Sequence, residues 1–326
     1  MGRQAEANAR VPLPVRGGVA PSYLWLDEAP QAGALAYLCL RFPDVGEAAW
    51  RSRMARGEVV GADGRALHPD SALQRGGRIW YYRELDAETP IPFEERILFR
   101  DAHLVVVDKP HFLPMTPSGR FLHETLLVRL KNKLGLAQLT PIHRLDRETA
   151  GVVIFSHREE TRGAYQSLFQ KREVAKTYEA LAPLLPGRAC PVHAAGVVAG
   201  AVSRDAAGAL PSAYPFTYRS RMVEGTPFFR MREVEGEPNS ETAIDVIELR
   251  GELALYRLQP HTGRKHQLRV HMNALGAPIV NDAFYPDALP DKGDDFAHPL
   301  KLLARSIAFD DPLTGQRRAF FSERSL

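Results

Sequence analysis

Cysteine is scarce in this sequence, because the 326 residues contain only Cys39 and Cys190. Two cysteines can build neither a disulfide framework nor a four-thiolate zinc site, so a reducing compartment is the simplest expectation. No apolar run reaches the ~18 residues that a membrane-spanning helix needs. Residues Met1–Arg10 are polar, unlike a signal peptide. We therefore expect a cytoplasmic protein without a membrane partner.

Net charge is also small, at +3 with a pI near 8.8. This balance excludes a histone-like basic tail and a strongly acidic disordered chain. The charge is unevenly placed, since residues 116–176 contain eleven Lys and Arg against six acids, a local net charge of +5 against −2 elsewhere. Such a basic segment is typical of a polyanion-binding surface. A pair of solvated helix faces is the alternative, and charge alone leaves both open.

Several familiar motifs are missing. The chain has no G-x-S-x-G, no G-x-x-x-x-G-K-[ST] and no G-x-G-x-x-G. These absences argue against a nucleophile-elbow hydrolase, a P-loop nucleotidase and a dinucleotide-binding fold.

Hydrophobic residues make up 44% and charged residues 25% of the chain, as in ordinary globular proteins.

The length and the changes in composition predict three segments. Residues 1–30 read as a flexible arm, residues 31–85 as a small module, and residues 86–326 as the main domain, after an acidic linker that begins near Glu84. In the main domain, β-branched runs such as Leu104–Val107 predict buried strands interspersed with helices. The fold class is therefore predicted as α+β.

The small module has a helix–turn–helix–hairpin order. Trp50 and Met54 predict a helix that carries Arg51, Arg53 and Arg56 on its outer side. This order resembles an S4-type RNA-binding module, although the turn of the hairpin is Asp-Gly rather than Asn-Gly. A plain capping subdomain is the alternative.

Two polar clusters stand out in the main domain. Pro141–Gly151 contains Asp146 and leads directly into a buried strand, and Pro260–His271 contains three histidines and three Lys or Arg but no acid. If the clusters meet, the cations keep a carboxylate ionised. The histidines are five residues apart, a spacing that does not place them on one face, so no metal site is expected.

The same clusters resemble motifs of the ribosomal large subunit pseudouridine synthase A family. His143–Gly151 matches H-R-L-D-x-x-T-[SA]-G, and Leu258–His271 matches L-x-P-x-T-G-R-x-H-Q-[LI]-R-x-H almost throughout. The strand that ends in Lys109-Pro110 and the K-x-Y of Lys176–Tyr178 agree in order and spacing. The resemblance covers roughly residues 95–320. It implies a pseudouridine synthase fold, with a mixed, largely antiparallel sheet and a central cleft.

The resemblance implies a cofactor-free isomerase that converts uridine in RNA into its carbon-linked isomer. Asp146 corresponds to the catalytic aspartate, which attacks C1′ of the sugar or removes a proton from C2′. Arg269 corresponds to its ion-pair partner and Tyr178 to the aromatic residue that stacks on the target base. The alternatives are a surface ion pair of Asp146 with Arg144 or Arg147, a phosphate contact for Arg269, and an ordinary strand tyrosine.

Arg144 corresponds to the residue that fills the gap left by the flipped nucleotide, with an ion pair to Glu148 as the alternative. His143, Arg264 and Lys265 complete the candidate substrate-binding residues, although for His143, as for Lys109 and Thr149, we favour an architectural role. The resemblance points to a tRNA anticodon stem-loop, large-subunit rRNA, or both, as the substrate of a monomer. A non-catalytic RNA-binding factor and a nucleoside hydrolase are the rival functions.

The sequence departs from the family at two places. The usual Gly-Asp pair is Asn281-Asp282, and the usual Leu-His-Ala is Leu302-Leu303-Ala304. We expect neither change to touch the four residues Asp146, Tyr178, Arg269 and Arg144.

Overall fold

A computed structural model describes residues 11–85, 87–185, 214–289 and 295–326. Residues 1–10 of the expected arm, and Cys190, lie outside these ranges. The described residues form two compact units. The first contains the chain up to Thr89 with Pro117–Glu124 and Lys131–Ala137, and the second contains Pro90–Thr116, Thr125–Leu130 and the rest from Gln138.

The first unit is a three-stranded antiparallel sheet with two short helices. Its elements are β1 (Ser22–Trp25), α1 (Ala34–Arg41), a 3-10 turn (Pro43–Val45), α2 (Glu47–Ala55), β2 (Val59–Val60) and β3 (Arg78–Tyr81). The strand order is β1-β3-β2. Residues 22–25, which we assigned to the arm, thus pair with β3. The resemblance to an S4 module and the boundary at residue 85 stay predictions.

Arg53 differs from its expected outward position. Its side chain is buried, lies over the ring of Trp50 at 4.9 Å and donates to Glu84 at 3.1 Å. The aliphatic stem of an arginine covers apolar surface while its guanidinium keeps a polar partner, which the spacing of charges in the sequence does not show.

The first unit also takes in segments that we assigned to the main domain. The carboxylate of Glu88 accepts hydrogen bonds from the backbone N–H groups of Leu122, His123 and Glu124 at 2.6, 2.9 and 2.7 Å. Three N–H donors around one carboxylate make a strong, charge-assisted anchor. This anchor explains why Pro117–Glu124 groups with the chain around Glu88.

The remaining elements are those of the main domain. They are β4 (Arg96–Arg100), β5 (Leu104–Lys109), α3 (Leu126–Leu134), β6 (Thr140–Pro141), β7 (Ala150–Ser156), α4 (Glu159–Gln170), β8 (Ala175–Pro183), β9 (Phe216–Glu224), β10 (Met231–Val234), β11 (Ser240–Arg250), β12 (Leu253–Pro260), α5 (Gln267–Ala274), β13 (Leu302–Asp310) and β14 (Arg317–Phe321).

Within the described residues, the eleven strands β4–β14 form one sheet. Its order is β10-β9-β11-β12-β8-β13-β7-β5-β4, with β14 on β13 and β6 on β7. Strands β7 and β13 are parallel, whereas the other pairs recorded in this sheet are antiparallel. The prediction of an α+β fold with a mixed, largely antiparallel sheet is confirmed.

The central strands are buried over their whole length. Every residue of β5 and β7 is buried, which is the expected fate of continuous β-branched runs in the middle of a sheet. Helix α5 packs its buried residues Leu268 and Met272 into the core formed with β8, β11 and β12. The position of α5 is therefore fixed by apolar packing, which also fixes the polar side chains that it carries.

Candidate active site

Five strands line up beneath the site in one register row. Lys109 of β5 is opposite Gly151 of β7, Gly151 is opposite Ala304 of β13, Ala304 is opposite Tyr178 of β8, and Tyr178 is opposite Leu258 of β12. The motifs that the sequence analysis singled out therefore converge, although they are far apart along the chain. The loop of Asp146 leads into β7. Lys109 lies on β5, which is directly beside β7, and Tyr178 lies on β8, which β13 separates from β7.

Gly151 permits the close approach of β13 to β7. Its φ is +116°, and a Cβ at this position would lie 2.2 Å from the carbonyl oxygen of Ala304. No side chain fits at that distance, and φ values in this range favour glycine. The glycine of the motif thus allows the loop that carries Asp146 to join the sheet directly beside β13.

Arg269 on α5 is the buried cation of the site. Its side chain is 1% exposed, and its Nε and Nη2 donate to the two carboxylate oxygens of Asp282 at 2.8 and 2.6 Å. Burial lowers the pKa of Arg269, but Asp282 and then Asp146 and Glu148 raise it overall. The guanidinium is therefore a fixed charge in a fixed orientation. A phosphate contact does not fit a side chain so completely enclosed.

Asp146 accepts a hydrogen bond from the third nitrogen of this guanidinium. Arg269 Nη1 donates to Asp146 Oδ2 at 3.3 Å, and the carboxylate remains 26% exposed. Burial raises the pKa of Asp146, but His266, Arg269 and Lys109 outweigh it and hold the pKa below its usual value. The result is an ionised carboxylate, partly dry and still reachable. Its ion pair is with Arg269, not with Arg144 or Arg147.

His266 stands on the other side of Asp146. Its Nε2 lies 3.9 Å from Asp146 Oδ2, its Nδ1 lies 3.0 Å from the hydroxyl oxygen of Tyr285, and its ring stacks on Phe284. Burial lowers the pKa of His266 to about 4, so the imidazole is neutral at neutral pH. The permanent cation beside Asp146 at that pH is therefore Arg269.

Glu148 shares the same guanidinium. Its Oε2 lies 3.5 Å from Arg269 Nη1, and its Oε1 lies 3.9 Å from Arg147. The expected alternative, an ion pair between Arg144 and Glu148, is not formed. Glu148 and Asp146 contact the same nitrogen, Nη1 of Arg269. A second carboxylate therefore competes for the cation that keeps Asp146 ionised.

Lys109 holds the loop from below. Its buried Nζ donates to the carbonyl oxygens of Pro110, Leu113 and Arg147 at 2.9, 2.8 and 3.0 Å. Three acceptors match the three N–H groups of an ammonium. Burial lowers the pKa of Lys109 to about 7, with the charges of Glu148 and Asp146 opposing it. The bond to the carbonyl of Arg147 fixes the backbone next to Asp146, which supports the architectural role.

Tyr178 faces the same carboxylate from β8. The residue is half-buried and packs against the core that includes Leu258 and Met272. Burial raises the pKa of Tyr178, and the charge of Asp146 raises it further. The phenol is therefore protonated at neutral pH, with its ring near the ionised Asp146.

Arg144 and His143 behave differently although they are neighbours. Arg144 is exposed and, within the part of the chain that the structure describes, makes no hydrogen bond, ion pair or ring contact. His143 instead accepts a hydrogen bond at its Nε2 from the backbone N–H of Ile154 at 3.1 Å and stacks on Phe169. His143 thus shapes the loop, while Arg144 is available to a ligand.

Arg264 and Lys265 are exposed at the start of α5. Arg264 Nε donates to the carbonyl oxygen of Asn239 at 3.2 Å, and Lys265 Nζ reaches the carbonyl oxygen of Phe228 at 3.5 Å. Both retain further N–H groups for solvent or for an anion. Their assignment as substrate-binding residues stays a prediction.

The three histidines of the second cluster have separate partners. His266 contacts Tyr285, His271 Nδ1 lies 3.0 Å from the hydroxyl of Thr242, and His261 is exposed. Among the described residues, no group of three or more His, Cys, Asp or Glu has the arrangement of a metal site.

No helix in the described ranges is long and apolar enough to cross a bilayer.

Three residues of the site were missed in the sequence. Asp282 was given no role in the site, yet its carboxylate orients Arg269 and also accepts the N–H of Phe284 at 2.8 Å. Glu148 was considered only as a partner for Arg144, and His266 only as one of three spaced histidines. The available signal was that Asp282 follows the second motif closely and is an acid in an apolar stretch, which calls for a buried partner.

Four histidines make the stability of the fold depend on pH. Burial lowers the pKa of His111 and His266 to about 4 and that of His143 and His271 to about 3. An unfolded histidine titrates near pH 6.5, so between about pH 6.5 and 4 the unfolded chain binds more protons. We expect the free energy of unfolding to fall as the pH is lowered through this range, as measured by urea denaturation.

The four histidines determine the slope of the free energy of unfolding against pH. Proton uptake on unfolding near pH 5 should approach four, and His271→Asn should reduce it by about one. The depressed carboxylates act only at lower pH, since the pKa of Asp146 lies below its ordinary value. A free energy of unfolding that stays constant between pH 7 and 5 would contradict this interpretation.

The fold is similar to that of a solved structure. The solved structure of human RNA pseudouridylate synthase domain containing 1 matches with a TM-score of 0.52 at 21% identity, covering 73% of this chain and 86% of that one. This likeness concerns the fold alone. It agrees with the pseudouridine synthase fold that the motifs predicted.

Sequence comparison identifies the family. The model of the family described as RNA pseudouridylate synthase matches residues 103–274. A dual-specificity RNA pseudouridine synthase RluA from Vibrio vulnificus is 32% identical over 69% of this chain and 81% of its own length. The mitochondrial tRNA pseudouridine(32) synthase of Saccharomyces cerevisiae is 28% identical over 66% of this chain but only 42% of its own. The chain belongs to the RNA pseudouridylate synthase family and is an RNA pseudouridine synthase, an isomerase.

Proposed function

We propose that this enzyme isomerises uridines in tRNA, large-subunit rRNA or both, with Asp146 as the catalytic carboxylate and without a cofactor. One observation carries the proposal: Asp146 is ionised by a buried arginine that Asp282 holds in place, and it is still 26% exposed. A carboxylate of this kind meets the demand of the reaction for a positioned, partly desolvated anion near the sugar.

The reaction breaks the N1–C1′ bond, turns the freed uracil and forms the C5–C1′ bond. Asp146 either attacks C1′, forming an ester that the base later displaces, or removes the proton from C2′ to give a glycal. In both routes the uracil leaves as an anion, C5 loses a proton after the new bond forms, and N1 gains one. In the glycal route, the carboxylic acid of Asp146 also returns its proton to C2′ as the C5–C1′ bond forms. Substrate and product contain the same atoms in the same overall oxidation state, so the reaction requires no redox partner.

Arg269 has two roles in this scheme. Its charge keeps Asp146 in the ionised form, and its bidentate contact with Asp282 fixes the direction of Nη1. The charge on Asp146 disappears when the ester or the carboxylic acid forms, and the arginine is then still balanced by Asp282 and Glu148. The two further carboxylates therefore allow Asp146 to change charge without leaving a buried cation alone.

Arg144 is the side chain that we assign to the RNA itself. It is exposed beside Asp146, and a base must leave its stack to reach the carboxylate. Arg144 has no partner within the described chain, so it can occupy the gap left by the flipped nucleotide. The names of the Vibrio and yeast relatives support RNA of more than one kind as the substrate.

We propose that the enzyme is a monomer. We place this monomer in the cytoplasm, as the cysteine content suggests. Sedimentation of the purified enzyme with and without RNA tests the first statement, and cell fractionation tests the second.

Release of tritium from RNA labelled at C5 of uridine tests the reaction. When total tRNA or rRNA from a deletion strain is given to the purified enzyme as substrate, we expect tritium release and formation of pseudouridine. Sequencing of the treated RNA then finds the modified positions. No release from either RNA would favour a non-catalytic RNA-binding factor. Free uracil among the products would favour a hydrolase of the glycosidic bond.

Tyr178→Phe is expected to slow turnover by about 10²- to 10⁴-fold, because we assign the relay of the C5 proton to the protonated hydroxyl. The ring remains, so stacking on the base and affinity for RNA should change little. Single-turnover formation of pseudouridine and equilibrium binding of the same RNA measure the two effects separately.

A suitable control for this variant is Tyr165→Phe. Tyr165 on α4 is also buried, and its hydroxyl donates to Asp311 at 3.2 Å. The control should retain the wild-type rate. An unchanged rate in Tyr178→Phe would show that the hydroxyl takes no part in the chemistry.

A further inference from the structure

We propose that Phe228, at the tip of the β9–β10 hairpin, stacks on an unpaired RNA base in the same single-stranded segment as the uridine that enters the site. This inference rests on the proposed function, because it takes single-stranded RNA as the ligand. Phe228 belongs to none of the motifs considered above. Its side chain is 85% exposed, in a molecule whose other phenylalanines are mostly packed.

The hairpin presents Phe228 in a defined way. The backbone N–H of Gly225 donates to the carbonyl of Arg230 at 3.0 Å, and the N–H of Arg230 donates to the carbonyl of Pro227 at 2.9 Å. These two bonds close the turn beneath Phe228. A turn that is hydrogen-bonded at its base and exposes one aromatic ring at its tip is suited to hold a flat ligand with little loss of conformational entropy.

A continuous series of ring contacts joins this tip to the active site. Phe228 lies edge-on to Phe229 at 5.7 Å, Phe229 lies 5.3 Å from Phe284, and Phe284 stacks on His266 at 5.5 Å. His266 Nε2 is 3.9 Å from Asp146 Oδ2. The tip is therefore fixed to the same aromatic group that borders the catalytic carboxylate, and a base stacked on Phe228 belongs to a nucleotide close to the target.

Cationic side chains lie on and beside the turn that carries Phe228. Lys265 Nζ lies 3.5 Å from the carbonyl oxygen of Phe228, and Arg264 next to it is exposed. Arg230 at the base of the turn lies over the ring of Tyr285 at 4.9 Å. An apolar ring among Lys and Arg fits a flat base with a phosphate on each side, which is how single-stranded nucleic acid is bound. A purely apolar protein partner would gain nothing from these charges.

Binding of RNA to Asp146→Asn protein tests the proposal without turnover. The probes are oligo(U) and a fully paired RNA duplex of equal length. Phe228→Ala should raise the Kd for oligo(U) by about 5- to 150-fold, the range measured for loss of base–aromatic stacking. The Kd for the duplex should change by less than about twofold, since paired bases offer no free face.

Two further variants separate stacking from other causes. Phe228→Trp keeps an aromatic face and should retain the affinity for oligo(U), whereas Phe228→Leu keeps only the apolar character and should lose it. Leu313→Ala removes another exposed apolar side chain, 43% exposed at the β13–β14 turn, and should change neither Kd. Circular dichroism and the duplex Kd show that each variant is folded.

Three results would overturn the inference: an unchanged Kd for oligo(U) in Phe228→Ala, an equal loss for oligo(U) and duplex, or full affinity in Phe228→Leu. The failure of the proposed function looks different. If the proposed function fails, the wild-type protein forms no pseudouridine in any RNA. The Kd comparison among the Phe228 variants does not depend on turnover and still tests the stacking.

Discussion

Asp146→Asn is expected to abolish pseudouridine formation, with a fall in the single-turnover rate of about 10⁴-fold or more. Asparagine has the same shape, and its carbonyl oxygen can still accept the hydrogen bond from Arg269 Nη1. It has no negative charge, however, so it can neither attack C1′ nor take a proton from C2′. The measurement is formation of pseudouridine by enzyme in excess over RNA, with the Kd of the same RNA determined in parallel.

The Kd should stay within about tenfold of the wild-type value, because the expected contacts with RNA come from other side chains. Stability should also change little, by about 1 kcal/mol or less, since Arg269 keeps its two bonds to Asp282. Asp310→Asn is a matched control, because Asp310 is an exposed aspartate in an ion pair with Arg317 at 3.3 Å. An active Asp146→Asn enzyme would remove Asp146 from the mechanism under either route.

The sequence predicted the centre of the fold because the centre has the strongest hydrophobic pattern. The β-branched runs of β5 and β7 are buried at every position, and the turn around Arg250 and Gly251 separates β11 from β12. Gly251 has a φ of +65°, as a tight turn requires. In such segments local pattern and tertiary environment agree, so the assignment from sequence is safe.

The elements that were missed have weaker patterns. Strand β9 alternates between buried and half-buried residues, and β14 alternates between exposed and half-buried ones. Strands at or near the edge of a sheet bury only one face, and short alternating segments resemble loops. Helix α5 was also missed, because polar and apolar residues alternate along Gln267–Ala274, a period that is typical of a strand rather than of a helix.

The ion pair between Asp146 and Arg269 was predicted only through the family resemblance. The two residues are 123 positions apart, and no local pattern relates them. The register row from Lys109 to Leu258 is what brings the two clusters to the same place, and such a row is a property of the folded sheet. Elementary electrostatics predicted the consequence, an ionised aspartate, but not the distance.

The change from Gly to Asn at position 281 has a simple physical explanation. Asn281 has a φ of +62°, in the left-handed region that glycine adopts freely and asparagine tolerates better than most residues. The backbone path into Asp282 is thereby preserved. The departure from the family pattern thus leaves the contact with Arg269 intact.

Asp282→Asn is expected to lower the free energy of unfolding by about 3–5 kcal/mol, because it leaves Arg269 as a buried cation without its main partner. The side chains of Arg269 and Asp282 are 1% and 0% exposed, so water cannot replace the lost contact. Urea denaturation measures the effect. Asp295→Asn is the control, since Asp295 pairs with His298 on the surface and should leave the urea midpoint almost unchanged.

The double variant Arg269→Met with Asp282→Leu separates stability from chemistry. Replacement of a buried ion pair by apolar side chains of similar size often restores stability, so the double variant should be more stable than Asp282→Asn. Its activity near neutral pH should nevertheless fall, because Asp146 then lacks the side chain that orients its carboxylate and helps to hold its pKa down. A fully active double variant would show that Asp146 needs no arginine, and a double variant less stable than Asp282→Asn would show that the pair serves the fold before it serves the reaction.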